Sequence, residues 1–284
     1  MRNDEPGNAE RQLERLVEAV LKSSKYRWVC EDLIRNVGGR ELSKGQDVKT
    51  AIKSTKNKLH QIAGAYFLQR PAYGVWLEKL RAAKESGDAV LFREACAEIM
   101  SYHYSTRQRL SFIDQFYGKI FSLLPHPVRS IVDIACGFHP LSIPWMPLTE
   151  KVNYYACDVY EDLVDFLTGF MALTNAKGCV EARDVLLNVP RITADVAFVL
   201  NVLPCLEQVE KSASLRILES VDADFLVVSF PVYSLCGREK SMRKQYTGSF
   251  DKLIKEKDWA VQCLDFEAEL VFVIHKTHWT GLIG

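Results

Sequence analysis

The sequence predicts an α/β protein in which a helical N-terminal domain precedes a mostly parallel sheet with an antiparallel last strand. Apolar residues recur at helical spacing over about the first hundred residues of the 284-residue chain. Beyond "LLPHP" at 123–127, short continuous apolar runs alternate with helical stretches, a pattern typical of parallel strands covered on both faces. The segment "WAVQCLDFEAELVFVIHK" indicates two strands joined by a turn at Glu267-Ala268, which makes the last strand antiparallel.

The change of pattern near residue 123 divides the chain into a helical domain at 1–122 and an α/β domain at 123–284. In the first domain, helical spacing runs through "VKTAIKSTKNKLHQIAGAY" at 48–66 and again through 88–121. In the second, connections near 161–175 and 206–220 are long enough for crossover helices. The predicted parallel strands are "SIVDIAC", "VNYYACDVY", "CVEARDVL", "DVAFVLNVLP" and "ADFLVVSFP".

Composition excludes several classes of protein. An apolar content of 48% and a charged content of 25% are ordinary for a globular protein, and no run approaches the roughly 18 apolar residues of a bilayer span. The polar segment "MRNDEPGNAE" is not a secretory signal, and the eight cysteines show no paired spacing. We therefore expect a cytoplasmic protein without a membrane segment, a disulfide framework or a metal site.

Positive charge is concentrated in two segments, although the net charge is zero. Residues 22–60 hold ten Lys and Arg against four Asp and Glu, and residues 236–257 hold seven against three. Three lysines of the helix predicted at 48–66 share a face that is separate from its apolar face. The pattern indicates a surface for a polyanion such as RNA, although a merely solvated face would give the same pattern. The candidate RNA contacts are Lys49, Lys53, Lys56, Arg238 and Lys240.

Acidic residues lie at the ends of three predicted strands, on the edge where open α/β sheets bind ligands: Asp133, Asp158 and Asp184. The first of these strands, in "IVDIACGFHP", runs into a loop with a single glycine, Gly137. Asp158 lies about 20 residues further on, where an acid can accept hydrogen bonds from ribose hydroxyls. One glycine admits the methionine part of S-adenosylmethionine better than it cradles a pyrophosphate, so the pattern favours S-adenosylmethionine over NAD. Any one of these acids could instead cap a helix.

Several stretches resemble the 16S ribosomal RNA guanine-N7 methyltransferases of the aminoglycoside-resistance group. The elements H-x-S-T-x-x-R-L and D-x-A-C-G are not general methyltransferase motifs, and the resemblance follows the family's order from residue 25 to 275. The matching stretches are "KYRWVCEDLIRNV" (25–37), "KLHQIAGAYF" (58–67), "HYSTRQRL" (103–110), "DIACGFHPLSIPWM" (133–146), "LPCLEQ" (203–208), "SFPVYSLCGREKSM" (229–242) and "AELVFVI" (268–274).

The resemblance implies a Rossmann-like methyltransferase domain, preceded by a helical domain that docks on the small ribosomal subunit. It implies S-adenosylmethionine as the cofactor, with Arg109 pairing with the methionine carboxylate and Asp158 accepting the ribose hydroxyls. Asp184 would hold the adenine amino group. The cofactor contacts implied by the matching motifs are Tyr66, His103, Tyr104, Ser105, Arg109, Ala135, Gly137, Asp158, Asp184, Val185 and Leu200.

The chain departs from the family pattern at positions that the resemblance assigns to the target side. The family usually has Asn at the position of His139, Lys at that of Asn201, and Thr-Lys at Val232-Tyr233. We therefore expect the face that meets the target nucleotide to be more diverged than the cofactor site.

Methylation of guanine N7 in 16S ribosomal RNA is the function that the resemblance implies, with aminoglycoside resistance as its consequence. Guanine N7 carries a free lone pair, so the enzyme needs no general base and can work by placing the nucleophile. Cys205 in "LPC" has apolar neighbours and is interpreted as a packed thiol, not as a nucleophile. The alternatives are a methyltransferase for another RNA position or a small molecule, and a non-catalytic RNA-binding protein that retains the fold.

Overall fold

A computed structural model describes residues 6–64, 66–125, 127–148, 151–233 and 242–276 of the chain. It contains a seven-stranded sheet flanked by helices. The strands are β1 (Ser130–Ile134), β2 (Asn153–Asp158), β3 (Val180–Ala182), β4 (Ala194–Leu200), β5 (Ala223–Pro231), β6 (Ala260–Asp265) and β7 (Glu269–His275). The helices are α1 (Pro6–Leu21), α2 (Glu31–Leu42), α3 (Val48–Leu59), α4 (Tyr73–Glu85), α5 (Ala89–Met100), α6 (Tyr104–Arg109), α7 (Ile113–Phe121), α8 (Glu161–Met171), α9 (Leu203–Leu206), α10 (Ala213–Ser220) and α11 (Met242–Ile254).

The strands follow the order β3-β2-β1-β4-β5-β7-β6. Neighbouring strands from β3 to β5 in this order are parallel, whereas β7 is antiparallel to both β5 and β6. The predicted mostly parallel sheet with an antiparallel last strand is therefore confirmed. The turn that joins β6 to β7 falls at Glu267-Ala268, as predicted. Because β1 lies between β2 and β4, the strand order reverses there, and a crevice opens at the carboxyl ends of these strands.

Helices cover both faces of the sheet, which explains the continuous apolar runs of its strands. On one face, Trp76 of α4 packs edge-on against Phe138 and Phe166, and α5, α7 and α8 contribute to the same buried cluster. On the other face, α10 and α11 bury Ile217 and Phe250 against the strands. The sheet therefore forms the middle layer of an α/β/α arrangement.

The three N-terminal helices have a buried cluster of their own, around Leu16, Ile34 and Leu59. By contrast, α4, α5 and α7 share the cluster of the sheet. The domain boundary between residues 122 and 123 stays a prediction, and the buried clusters divide the helices at an earlier point of the chain. Within the part of the chain that the structure describes, no helix is long and apolar enough to cross a bilayer.

Both long helical segments predicted from periodicity are interrupted. The first ends as α3, and a single π-helical turn then leads toward Tyr66. The second is divided into α5, α6 and α7. Backbone hydrogen bonds join the two segments at the points where their helices are interrupted: Leu68 N donates to Tyr102 O, and Tyr104 N donates to Tyr66 O. These bonds fix Tyr66 and the neighbouring His103 beside the crevice.

Candidate functional site

The crevice at the carboxyl ends of the parallel strands is a cleft with about 900 Å³ of empty space, part of it open to solvent. Its wall is mainly apolar with a few convergent polar groups, as in the binding sites of small organic ligands. Tyr104 is the predicted cofactor residue that lies outside this wall. The predicted residues that line it are Tyr66, His103, Ser105, Arg109, Ala135, Gly137, Asp158, Asp184, Val185 and Leu200.

The glycine loop after β1 needs its glycine for two reasons. Gly137 has a φ of 51°, in the left-handed region that residues with a side chain adopt rarely. A Cβ at this position would also lie 3.0 Å from Cε1 of His103. Ala135 has the same φ of 51° without being a glycine, so the backbone at the end of β1 is strained where it borders the cleft.

Asp158, the last residue of β2, holds the glycine loop. Its Oδ2 accepts a hydrogen bond from Gly137 N at 2.9 Å, and its Oδ1 accepts from Val159 N at 2.7 Å and Tyr160 N at 3.3 Å. Burial raises the pKa of Asp158, and these backbone bonds oppose that shift. A carboxylate has about four acceptor positions, so roughly one is left for a ligand hydroxyl. If Asp158 accepted hydrogen bonds from both ribose hydroxyls, one hydroxyl would have to share an acceptor position with a backbone N–H group.

Asp184 links the cleft to the N-terminal helices. Its Oδ2 accepts a hydrogen bond from Asn36 Nδ2 of α2 at 2.7 Å, and its Oδ1 accepts from Leu186 N at 2.9 Å. Burial raises the pKa of Asp184, while the bond from Asn36 acts in the opposite direction. Sequence reasoning identifies Asp184 but misses Asn36, because no local pattern connects two residues so far apart in the chain.

Arg109 is fully buried and forms a bidentate ion pair with Glu269 at the start of β7. Its Nε donates to Oε2 at 2.9 Å and its Nη2 donates to Oε1 at 2.6 Å. Burial opposes the charge, but Glu269 and Tyr117 more than compensate, and the pKa of Arg109 is raised. Two sides of the guanidinium are thus occupied, which limits the predicted contact with the methionine carboxylate. Sequence reasoning does not find Glu269.

Three further residues of the cleft wall are uncharged: His103, Tyr66 and Cys205. Burial, with Arg109 nearby, lowers the pKa of His103 to about 3, so its ring is neutral at physiological pH. This ring stacks on Tyr66 at a centroid distance of 5.6 Å. The Tyr66 hydroxyl lies 2.8 Å from Sγ of Cys205, and burial raises the pKa of that thiol. Cys205 is therefore a protonated, packed thiol, in agreement with its interpretation from the sequence.

The expected target-facing position of His139 is wrong. His139 is only 2% exposed, because the short helical turn after the glycine loop folds it under the cleft, where its Nδ1 contacts Oδ2 of Asp133 at 2.8 Å. Asn201 is likewise 6% exposed and has a left-handed φ of 58°. His139 lines the cleft, whereas Asn201 lies in the wall between the cleft and an adjoining pocket.

A second pocket, with about 770 Å³ of empty space that is partly open to solvent, adjoins the cleft. The two share Tyr66, Ser105, Asn201 and Cys205 as a common wall. The further lining residues of the second pocket are mostly aromatic, amide or proline side chains: Gln61, Tyr104, Gln108, Pro204, Gln208, Pro231, Tyr233, Met242 and Tyr246. A planar, polar and uncharged group fits such a lining, and Tyr104 and Tyr233 both belong to it.

The three predicted RNA contacts on α3 are not among the residues that line either pocket. Lys49 and Lys53 are exposed on α3, and Lys56 is half-buried on the same helix. Arg238 and Lys240 lie outside the described residues. Among the described residues, no group of three or more His, Cys, Asp and Glu side chains is placed to hold a metal ion.

Comparison with known proteins gives one family and several relatives. The family "Ribosomal RNA methyltransferase (FmrO)" matches residues 22–273. The "16S rRNA (guanine(1405)-N(7))-methyltransferase" of Micromonospora rosea is 36% identical over 273 residues, covering 93% of this chain and 97% of that protein. The protein of the same name from Serratia marcescens is 30% identical and covers 91% of this chain and 96% of its own length.

Solved structures agree with these sequence matches. The 16S rRNA methyltransferase RmtF, in complex with S-adenosyl-L-homocysteine, is 27% identical with a TM-score of 0.77, over 94% of this chain and 98% of its own. The 16S rRNA methylase RmtB is 26% identical with a TM-score of 0.76, over 93% and 98% of the two chains. The similarity therefore extends over the N-terminal helices as well as over the sheet.

Proposed function

Because the chain belongs to the FmrO ribosomal RNA methyltransferase family, we propose that it methylates guanine N7 in 16S ribosomal RNA with S-adenosylmethionine as its cofactor. The observation that carries the proposal is the cleft in which Gly137 and Asp158 meet at the carboxyl ends of β1 and β2. It is the kind of site in which open α/β sheets bind nucleotide-like ligands. Relatives that match over nearly the whole chain carry this activity in their names.

The residues of the cleft fit this cofactor. The single left-handed glycine leaves room for an amino-acid chain, Asp158 keeps an acceptor position for a ribose hydroxyl, and Asp184 lies beside apolar side chains that suit adenine. When bound, S-adenosylmethionine supplies a methyl group carried on a positively charged sulfur. The protein then has to hold the ligand, orient the target base and exclude water.

Proton transfer is not required of the residues around the cleft. Guanine N7 has a free lone pair, so no group has to remove a proton before the methyl group is transferred. The neutral ring of His103 and the protonated thiol of Cys205 are consistent with this, since neither is poised as a base or a nucleophile. The catalytic contribution of the chain is therefore positioning.

The second pocket is the proposed place of the target base. It shares a wall with the cofactor cleft, and its tyrosines offer rings on which a base taken out of its stack can lie. The lysines of α3 are the proposed phosphate contacts that dock the small ribosomal subunit. By this proposal, the N-terminal helices bind the substrate particle and the sheet domain carries the chemistry.

Transfer of a labelled methyl group tests this function. Purified protein is incubated with methyl-labelled S-adenosylmethionine and separated small and large ribosomal subunits, with Asp158→Ala as the matched control. Label should appear in small-subunit RNA, and the control should transfer far less at limiting cofactor. Label in the large subunit, or in none of the RNA, would contradict the proposal. Expression in a sensitive host should also confer resistance to kanamycin-type drugs.

A further inference from the structure

Trp28 is an exposed tryptophan in the segment that joins α1 to α2. It is 45% exposed, whereas the other tryptophans that the structure describes are buried or half-buried. A single exposed apolar residue needs no explanation, so the surroundings of Trp28 decide whether it marks a binding surface. Its backbone contacts, the pockets it adjoins and the charges beside it all bear on this question.

Hydrogen bonds hold the backbone of this segment close to the Trp28 ring. The hydroxyl of the buried Tyr26 donates to Lys56 O of α3 at 2.9 Å. Trp28 O accepts from Glu161 N, at the start of α8, at 2.7 Å. A side chain on a fixed backbone loses little conformational freedom when a ligand binds, which favours affinity. The segment therefore presents the Trp28 ring at a fixed place.

The same segment adjoins both pockets of the molecule described above. Val29 forms an antiparallel β-bridge with Tyr160, which lines the cofactor cleft. On the side of α3, Lys25 Nζ lies 3.1 Å from Nδ1 of His60. His60 directly precedes Gln61, which lines the second pocket. The surface around Trp28 therefore lies next to the proposed place of the target base as well as to the cofactor cleft.

Positive charge lies beside the ring. The guanidinium of Arg27 lies over the Trp28 ring, 5.8 Å from its centroid. Lys25 precedes Trp28 by three residues, and Lys56 is the residue of α3 to which the segment is bonded. Arg27 opposes the rise that burial causes in the pKa of Asp162. Within the described ranges, none of these three cations forms an ion pair, so their charges are available to an external anion.

We propose that an unpaired base of the RNA beside the target guanine stacks on Trp28, while the neighbouring cations contact the phosphates. This Trp28 surface comprises Lys25, Arg27, Trp28, Lys56 and His60. Aromatic rings stack on unpaired bases of any sequence, and Lys and Arg neutralise phosphates. An apolar protein partner would cover the cations without supplying the counter-charge that phosphates carry. The inference rests on the proposed function and adds Trp28 to the RNA contacts proposed on α3.

Replacement of the ring tests the stacking. Filter binding of small ribosomal subunits should show that Trp28→Ala weakens binding by about fivefold to 150-fold, the range found for the loss of one stacked base. Trp28→Phe should keep most of the affinity, because it keeps a ring on which a base can lie. The matched control is Trp259→Ala, which also removes a ring beneath a cation, Lys276, but at the far edge of the sheet beside β6. The control should bind subunits like the unaltered protein.

The salt dependence of binding separates the ring from the cations. Lys25→Gln/Arg27→Gln should weaken subunit binding and reduce its salt dependence, because fewer counterions are released when the subunit binds. Trp28→Ala should leave the salt dependence unchanged, since it removes no charge. The affinity for S-adenosylhomocysteine, measured by calorimetry, should be unchanged in both variants. Equal losses of subunit and cofactor affinity in Trp28→Ala would show that the ring supports the fold, and would overturn the inference.

A cross-link identifies what lies on the ring. Trp28→p-benzoylphenylalanine, irradiated in the presence of small subunits, should become cross-linked to 16S ribosomal RNA. Cross-linking to ribosomal protein alone, no cross-link to RNA, or unchanged subunit affinity of Trp28→Ala would each overturn the Trp28 surface. In those cases the proposed function stands as long as the unaltered protein transfers methyl groups to small-subunit RNA. If the unaltered protein does not bind small subunits at all, the proposed function and the Trp28 surface both fail.

Discussion

At the scale of single residues, Asp158 connects the cofactor cleft to the glycine loop. Replacing it by Ala should weaken S-adenosylhomocysteine binding by about tenfold to 150-fold, because a hydrogen bond to a charged acceptor contributes about 1.5–3 kcal/mol. Titration calorimetry on the folded variant measures this. Asp195→Ala is a matched control, since Asp195 also accepts backbone N–H groups but lies at the amino end of β4. Equal affinities for Asp158→Ala and the unaltered protein would contradict the assignment.

The lowered pKa of His103 predicts that the stability of the protein depends on pH. Its pKa falls from 6.5 to about 3 on folding, so between these values the unfolded chain binds a proton that the folded chain excludes. The contribution of His103 to the free energy of unfolding is therefore complete above pH 6.5 and declines as the pH falls toward 3. Urea unfolding of the unaltered protein and of His103→Gln at pH 7.5 and 5 should show a smaller loss in the variant. Identical losses would show that His103 titrates normally.

The residues that the sequence predicts are those with a local pattern. Gly137 and Asp158 can be identified because each follows a recognisable apolar strand at a spacing typical of cofactor sites. The partners of the cleft residues cannot be identified in this way. Asn36 lies 148 positions from Asp184, and Glu269 lies 160 positions from Arg109, so only the folded chain brings them together.

At the scale of secondary-structure elements, the ion pair of Arg109 and Glu269 ties α6 to β7. Glu269→Gln should lower the free energy of unfolding by about 3–5 kcal/mol, because it leaves a buried guanidinium without its counter-charge. Glu78→Gln, which breaks the exposed pair with Arg81, should lower it by less than about 1 kcal/mol. Denaturant unfolding compares the two. The double variant Arg109→Met/Glu269→Leu should recover part of the loss, and similar losses for both single variants would contradict a special role for the buried pair.

Lys49, Lys53 and Lys56 of α3 are the proposed contacts with the RNA of the small ribosomal subunit. Replacing these three lysines by Glu should weaken subunit binding by more than about tenfold. It should also reduce the salt dependence of binding, because fewer phosphates are neutralised and fewer counterions are released when the subunit binds. The buried residues of α3 are not changed, so the fold should persist. Filter binding over a salt series provides the measurement.

The control for this experiment is Lys151→Glu/Lys177→Glu. Both lysines are exposed and precede strands β2 and β3, at the edge of the sheet away from the cleft. Subunit binding should be nearly unchanged in the control, and cofactor affinity should be unchanged in both variants. Equal subunit affinity and salt dependence for the α3 variant and the unaltered protein would show that these lysines are only solvated.

Elements were predictable where apolar periodicity is continuous and unpredictable where tertiary contacts divide it. The strands and the closing hairpin follow the apolar runs of the sequence. The helical pattern of 88–121 gives no sign of the break before His103. That break depends on backbone bonds to the segment around Tyr66, which periodicity does not contain.

At the scale of the whole molecule, the N-terminal helices form part of the rim of the cofactor cleft. Asn36 donates to Asp184, Arg40 pairs with Glu210, and Cys30 N donates to Val159 O next to Asp158. We propose α1–α3, with their own buried cluster, as the docking unit, a smaller part than residues 1–122. The remaining helices pack with the sheet and belong by this criterion to the catalytic unit.

The chemical identity of the methylated base tests the central claim most directly. A guanine methylated at N7 becomes sensitive to borohydride reduction followed by aniline cleavage, so treated 16S ribosomal RNA can be cut and mapped by primer extension. After incubation of small subunits with the protein and S-adenosylmethionine, one new cleavage at a guanine should appear, and it should be absent without the cofactor. Methyl transfer to the RNA without any new cleavage would contradict modification at guanine N7.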